Sequence, residues 1–229
     1  IRHCRVCKTR LAGLFRIAPQ YIASTFVKTN KNNPKSKIKI PMTVMLCPKC
    51  GLIQLQETVN PELLYKEYFY RSNVSDTMRR DLQDVVDSVC RLVKHPSSAL
   101  DIGCNDGLMM TMFPSYVATL GIDPAENIKP VRKNLNIITE YFPCGILGRQ
   151  FEIITSTAMF YDLDDPNKGV QEIKKLLAKD GVVCIQVSYL YDTIKDMNFY
   201  DFVHEHLEYY SLESLKYLFK KNGMKIFDA

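Results

Sequence analysis

The sequence predicts an α/β protein with a mostly parallel sheet, preceded by a small cysteine-bearing lobe. Two observations carry this expectation. From residue 98 onward, short apolar runs alternate with helical patterns, and four of the eight cysteines form two Cys-x-x-Cys pairs within the first fifty residues. Short buried strands joined by helices pack as a parallel sheet covered on both faces. The expected division is a metal-binding lobe over residues 1–60, a connector and helix over 61–96, and a sheet domain over 97–229.

The elements follow in order. Within the lobe, the polar insert KTNKNNPKSKIK (28–39) reads as a loop, because its lysines lie among Asn, Ser and Pro with no aromatic residue interleaved to stack on bases. The tyrosine-rich connector NPELLYKEYFYRSNVS (60–75) leads into TMRRDLQDVVDSVCRLVKH (77–95), where Leu82, Val85, Val86, Val89, Leu92 and Val93 recur at helical spacing before a Pro96-Ser-Ser turn. Strands are expected at SALDI (98–102), VATLGID (117–123), LNIIT (135–139), FEIIT (151–155), GVVCIQV (181–187) and MKIFD (224–228). Helices are expected at LMMTMF (108–113), VQEIKKLLAK (170–179) and LESLKYLFKK (212–221).

With 229 residues and 46% hydrophobic content, the chain can bury a substantial core. Its net charge of +5 is mild and both signs are spread along the chain, so a nucleic-acid partner is not demanded. No run approaches the roughly 20 apolar residues of a membrane span. The opening IRHCRVCKTR lacks the apolar run of a signal peptide. The expectation is a cytoplasmic protein with neither membrane nor nucleic-acid partner, acting on a small molecule; the oligomeric state stays open. Cys90, Cys104, Cys144 and Cys184 are scattered and read as small buried hydrophobes.

Cys4-x-x-Cys7 and Cys47-x-x-Cys50 each place two thiolates within reach of one ion, and four thiolates satisfy tetrahedral Zn²⁺. The 39 intervening residues exceed the spacing of a nucleic-acid finger and suit a structural clip. A closed four-sulfur site leaves no position for substrate, so the metal serves folding. A redox dithiol or coincidental core cysteines are the alternatives.

The stretch ALDIGCNDGLMM (99–110) follows one expected strand and opens the next helix, with Gly103 and Gly107 where the backbone turns sharply and approaches a ligand. Asp101 ends the strand, Asn105 lies in the turn, and Asp123 ends the next strand twenty residues after Gly103, where an acid accepts hydrogen bonds from ribose hydroxyls. The loop has neither the Lys-Ser/Thr of a triphosphate-binding loop nor a full G-x-G-x-x-G. Asp106 inside it disfavours a pyrophosphate and suits a sulfonium. S-adenosylmethionine fits best, with an NAD-type ligand as the alternative.

Taken together, the cysteine lobe, CGLIQLQETVNPELLYKEYFYRSNVS, DIGCNDG, GIDPAENI and VHEHLEYYSL resemble the zinc-containing sugar C-methyltransferases, from Cys4 to about Phe227. The resemblance implies a Rossmann-like class I methyltransferase sheet and methylation of a carbon beside the ketone of a nucleotide-linked deoxysugar. Relatives usually continue with a further C-terminal region, so it also implies that this chain is short at that end. Carbon methylation beside a ketone needs a base, stabilisation of an enolate, and a methyl sulfonium in line with the carbon. By resemblance His206 is the base, Glu205 an active-site carboxylate, and Tyr70, ahead of Tyr68, reaches the substrate. His204 supports the loop, and Tyr209 and Tyr210 line the same region. In an extended segment His204 and His206 would share a face, with Glu205 opposite. Ser156 and Thr157 are expected at the methionine end of the cofactor, and Phe142 on its adenine. Two departures stand out: relatives carry Asn and then His where this chain has Ala158 and Asp162, and often Tyr where it has Val203. Methylation of oxygen or nitrogen on another small molecule, or a zinc-stabilised scaffold without turnover, are the alternatives.

Overall fold

The computed structural model describes residues 1–23, 38–146 and 148–229. Along the chain run β1 (Ala12–Tyr21), β2 (Lys39–Leu46), β3 (Ile53–Leu55), α1 (Pro61–Tyr65), α2 (Asp76–Leu92), β4 (Ser98–Ile102), β5 (Ala118–Ile122) and β6 (Ile137–Ile138). Next come β7 (Phe151–Thr157), α3 (Pro166–Leu176), β8 (Leu177–Gln186), α4 (Leu190–Lys195), β9 (Glu208–Tyr209) and α5 (Leu212–Lys221). The loop expected at 28–39 lies outside the described residues except for Ile38 and Lys39, and Lys39 opens β2.

Two compact units result: one comprises Ile1–Leu64, Tyr161–Val170 and Val187–Ala229, the other Tyr65–Phe160 and Gln171–Gln186. The first holds an antiparallel sheet in the order β1-β2-β3-β9. Met42 and Val44 of β2, Leu55 of β3, Leu190 of α4 and Tyr209 of β9 form its apolar cluster, with Ile17, Ile53 and Phe202 against it. The edge strand β1 is exposed along nearly its whole length and broken by two register shifts, features that discourage further strand pairing. Placing β9 beside β3, with Ile53 opposite Tyr209 and Gln54 opposite Glu208, gathers the HEHLEYY segment into the cysteine lobe's unit. The sequence division at residues 60 and 97 does not follow this boundary, because it is drawn by pairing across the length of the chain.

The second unit is an all-parallel sheet in the order β6-β5-β4-β7-β8. Strand β4 is central, and the chain leaves it on one side for β5 and later on the other for β7, which makes its carboxyl end a topological switch point. The apolar face of α2 (Leu82, Val86 and Val89, continued by Val93) packs with Ala99, Leu108, Met109, Phe113, Val117 and Ile153. Ser75 caps α2 by accepting the Met78 N–H at 3.2 Å, and Asp76 and Arg91 suit the two ends of the helix dipole.

Several expected elements differ. LMMTMF contracts to one tight turn at Met109–Thr111, and LNIIT to Ile137–Ile138. Helix α3 stops at Leu176 although AKDG was expected partly helical: Leu177 already pairs with Phe151 of β7, and strand pairing overrides local propensity. MKIFD forms no strand; these residues lack a paired neighbour among the described strands, and Phe227 is exposed. Strands β1–β3 and helices α1 and α4 were not anticipated. Among the described residues no helix is long and apolar enough to cross a membrane.

Candidate active site and metal centre

The sulfurs of Cys4, Cys7, Cys47 and Cys50 lie within 4.8 Å of one another, with Cys4 to Cys50 at 3.6 Å and Cys7 to Cys47 at 3.3 Å. Zn–S bonds of about 2.3 Å in a tetrahedron imply sulfur separations of about 3.8 Å, so the four thiols fit the ion with small adjustments. Both pairs use the same knuckle. Lys8 N–H bonds to the Cys4 carbonyl and Gly51 N–H to the Cys47 carbonyl, each at 3.0 Å and each from a residue with positive φ. Hydrogen bonding from the Cys50 thiol holds Cys4 down at about 5, well on the thiolate side. The same bond, with burial, pushes Cys50 up.

In the parallel unit the glycine loop is anchored to the neighbouring strand. Gly103 N–H and Cys104 N–H both donate to the Ile122 carbonyl, at 2.8 and 3.1 Å. Gly103 and Gly107 adopt φ of +75° and +74°, a region that L side chains rarely occupy. A Cβ on Gly103 would fall 2.8 Å from the Met159 Cβ, so Gly103→Ala is expected to lower stability by about 1–3 kcal/mol, read as a shifted denaturation midpoint. An unchanged midpoint would remove the strain argument.

The strand-end acids hold the loop. Asp123 accepts the Asn105 N–H at 2.8 Å on one oxygen and the Ala125 N–H at 2.9 Å on the other. Burial raises its pKa, against those two N–H bonds. Asp101 is buried and accepts the Thr155 hydroxyl at 2.9 Å; burial pushes it to about 7, opposed by that bond and reinforced by Asp123. Asp106 departs from the expectation that it faces a sulfonium: fully buried, it accepts Leu108 N–H at 3.2 Å and Asn73 N–H at 3.0 Å, tying loop to connector. Asn105 does the same, donating to the Tyr70 carbonyl at 3.2 Å and accepting from Ser72 N–H at 3.1 Å. Tyr70 is thereby fixed beside the loop, its hydroxyl raised by burial and by Asp106.

Sequence reasoning missed two residues here. Asn127 exchanges two hydrogen bonds with the backbone of Tyr68, at 2.9 and 3.0 Å, and Arg71 donates to the carbonyls of Tyr68, Tyr70 and Asn127. Neither type stands out in its segment; only GIDPAENI and YFYRS read together offered a signal. Ser156, at the carboxyl end of β7, is fully buried with no hydrogen-bond partner for its hydroxyl among the described residues, and the Thr157 hydroxyl likewise has none. Phe142 is half-buried beyond β6. Ala158 sits at φ +52°, a conformation in which Asn is favoured, which gives the departure from Asn a backbone meaning.

His204, Glu205 and His206 belong to the other unit. The segment bends at His204–Glu205 instead of extending, so the two imidazoles are not simple same-face neighbours. His204 is buried and its Nε2 donates to the Ile40 carbonyl at 3.0 Å; His206 uses Nδ1 to donate to the Asp201 carbonyl at 2.9 Å. A carbonyl only accepts, so the proton facing it sits on Nε2 in His204 and on Nδ1 in His206, and neutral His206 keeps Nε2 as its basic atom. The Tyr161 ring lies against His206, centroids 4.2 Å apart. Burial lowers the His206 pKa below 6.5, opposed by the Asp201 bond and the charges of Glu205 and Asp201. Glu205 is buried, as are Tyr209 and Tyr210.

A parallel sheet with a switch point, a glycine loop and strand-end acids defines a Rossmann-like α/β protein, here carried with a four-thiol lobe. Residues 70–228 match the family model described as "Methyltransferase domain", and the chain belongs to that family. Residues 4–65 match the model described as "Putative zinc binding domain". The chain is 25% identical over 202 residues to the C-methyltransferase NovU of Streptomyces niveus, spanning 82% of this chain and 48% of that protein. It is 28% identical over 103 residues to the tRNA U34 carboxymethyltransferase of Campylobacter jejuni, covering 40% of this chain and 35% of that one. The chain therefore spans less than half the length of these curated relatives. Its fold is similar to that of the plantazolicin methyltransferase BpumL, solved in complex with SAH, at TM-score 0.53 and 18% identity over 66% of each chain.

Proposed function

We propose that this chain takes part in S-adenosylmethionine-dependent methylation of a carbon beside the ketone of a nucleotide-linked deoxysugar. For the cofactor, the supporting features are the glycine loop at the carboxyl end of β4 and the acid at the end of β5. Gly103 and Gly107 let the loop turn with positive φ against Met159 and Leu135, Asp123 receives the ribose hydroxyls, and Ser156 offers its unsatisfied hydroxyl to the amino-acid end. Phe142 packs on adenine. Asp101 and Asn105 act from below, shaping the loop and its join to Tyr70. When bound, the cofactor supplies an electrophilic methyl group on a sulfonium.

The observation that carries the proton-abstraction step is the contact of His206 Nδ1 with the Asp201 carbonyl, which assigns that nitrogen the proton. With Nδ1–H committed to Asp201, Nε2 is left to take the α-proton, and burial keeps the ring neutral near pH 7. Carbon over oxygen or nitrogen methylation is supported by the similarity to a C-methyltransferase. Glu205 orients the imidazole or a sugar hydroxyl, Tyr70 contacts the acceptor, and His204, held on Ile40, supports the turn.

Calorimetric titration with S-adenosylmethionine, S-adenosylhomocysteine and NAD tests the cofactor half. Saturable binding of the first two and not NAD is expected, and absence of binding in folded, zinc-loaded protein sinks the reading. Asp123→Ala is expected to weaken that binding by about ten- to a hundred-fold, the loss of a charged hydrogen bond. Undiminished affinity would remove Asp123 from the ribose site.

A further inference from the structure

Arg5 lies between two metal-binding cysteines and is among the largest fully buried side chains, 2% exposed. A guanidinium so placed is unfavourable unless it is paired. Its two terminal nitrogens are hydrogen-bonded, and Nε faces two carboxylates at ion-pair distance without a hydrogen bond. Nη1 donates to the Leu55 carbonyl and Nη2 to the Thr58 hydroxyl, each at 2.7 Å, while Nε lies 3.4 Å from an Asp164 oxygen and 3.5 Å from a Glu208 oxygen. Its backbone is held too: the N–H donates to Gln54 at 2.9 Å, and the carbonyl accepts from Asn167 at 2.9 Å. The Val6 carbonyl accepts from Asn167 and from Lys221.

These partners converge on one point of the fold. Gln54 and Glu208 are opposite residues of β3 and β9, and the Leu55 whose carbonyl Arg5 holds donates its own N–H to the Leu207 carbonyl at 2.9 Å. Leu207 N–H in turn donates to the carbonyl of Tyr161, the residue whose ring lies against His206. The β3–β9 ladder is only two residue pairs long, too short to specify its register by itself, and a one-residue slip would turn every side chain to the other face.

We propose that Arg5 is a positioning residue for His206: its hydrogen bond to the Leu55 carbonyl and its ion pair with Glu208 set the register of β9 on β3, and that register keeps the His206 Nδ1 on the Asp201 carbonyl. A buried ion pair is weak support for stability, and fixing register is its best-attested use. The metal knuckle thus reaches the histidine segment through one side chain. The catalytic consequence rests on His206 being the base; the positional effect does not.

The test is imidazole ¹⁵N NMR of the zinc-loaded chain, with His206→Asn identifying the His206 signals. The parent is expected to show the Nδ1–H pattern. Arg5→Met should replace it with an averaged pattern while zinc stays at one per chain and S-adenosylmethionine affinity is unchanged. Because Arg5→Met leaves Glu208 buried and unpaired, the double variant Arg5→Met/Glu208→Met is the second arm: apolar replacement of a buried pair is tolerated, so it should fold and still lose the pattern. A parent-like His206 pattern in either folded variant overturns the proposal. Should the parent bind no S-adenosylmethionine, the methyltransferase reading falls, and the NMR comparison still decides the role of Arg5.

Discussion

Replacing Cys50 with serine is expected to drop zinc from one ion per chain to well below one and to collapse the antiparallel unit. The reason is that the ion ties together two knuckles 39 residues apart in the chain, a link that the bonds within each knuckle do not supply. Each knuckle is a loop closed by local backbone bonds, Lys8 and Cys4 N–H in one and Gly51 and Cys47 N–H in the other, and β3 contributes three residues. Structural zinc bound by four thiolates is worth on the order of 10 kcal/mol in small domains, comparable to the whole stability of a domain. Amide exchange should therefore rise across β2 and β3 while the parallel unit, with its own core around α2, keeps its protection. Cys90→Ser is the matched control, since Cys90 lies on α2 and outside the four-thiol cluster. Full metal content and unchanged exchange in Cys50→Ser would mean the four sulfurs do not form a filled site.

His206→Ala is expected to cut methyl transfer by about 10²- to 10⁴-fold with cofactor affinity preserved, the usual yield of a general base. The pH profile supplies a second reading. Activity should rise with pH as the ring loses its proton, and because burial lowers the His206 pKa, the acid limb should be centred below 6.5. The same sign holds for stability. The folded state favours the neutral ring, so its contribution is intact above 6.5 and is lost as pH falls through the window below, where the unfolded chain takes up the proton first. An unaltered rate in His206→Ala, or an acid limb well above 6.5, refutes the assignment.

The parallel sheet was legible because apolar runs at SALDI, VATLGID and FEIIT are separated by turns with glycine or proline, and α2 because its apolar residues repeat at one period and end in a cap. The four cysteines were legible by spacing alone. What was not legible depends on partners far away in the chain. The AKDG stretch following α3 carries helix-forming residues, and only pairing of Leu177 with Phe151 makes it strand. Asp106 looked like a ligand-facing acid, yet its oxygens are taken up by Leu108 and Asn73. The protonation of His206 rests on a carbonyl five residues earlier, at Asp201, which no periodicity encodes. The burial of Arg5 likewise depends on Thr58, Asp164 and Glu208 together, residues far from it in the chain.

The pairing of β3 with β9 also bears on how the protein is made. On the ribosome, Cys4, Cys7, Cys47 and Cys50 emerge well before β9 and can capture their ion ahead of it. The outer edge of β3 and the buried Arg5 guanidinium must then wait for Glu208 and Tyr209, and Asn167 follows Arg5 by 162 residues. At translation rates of about 5–20 residues per second, that edge stays unpaired on the nascent chain for on the order of ten seconds, with Ile53 and Leu55 uncovered. A half-made lobe of this kind is a natural client for a chaperone that shields open strand edges, and slow-translating conditions should raise its aggregation.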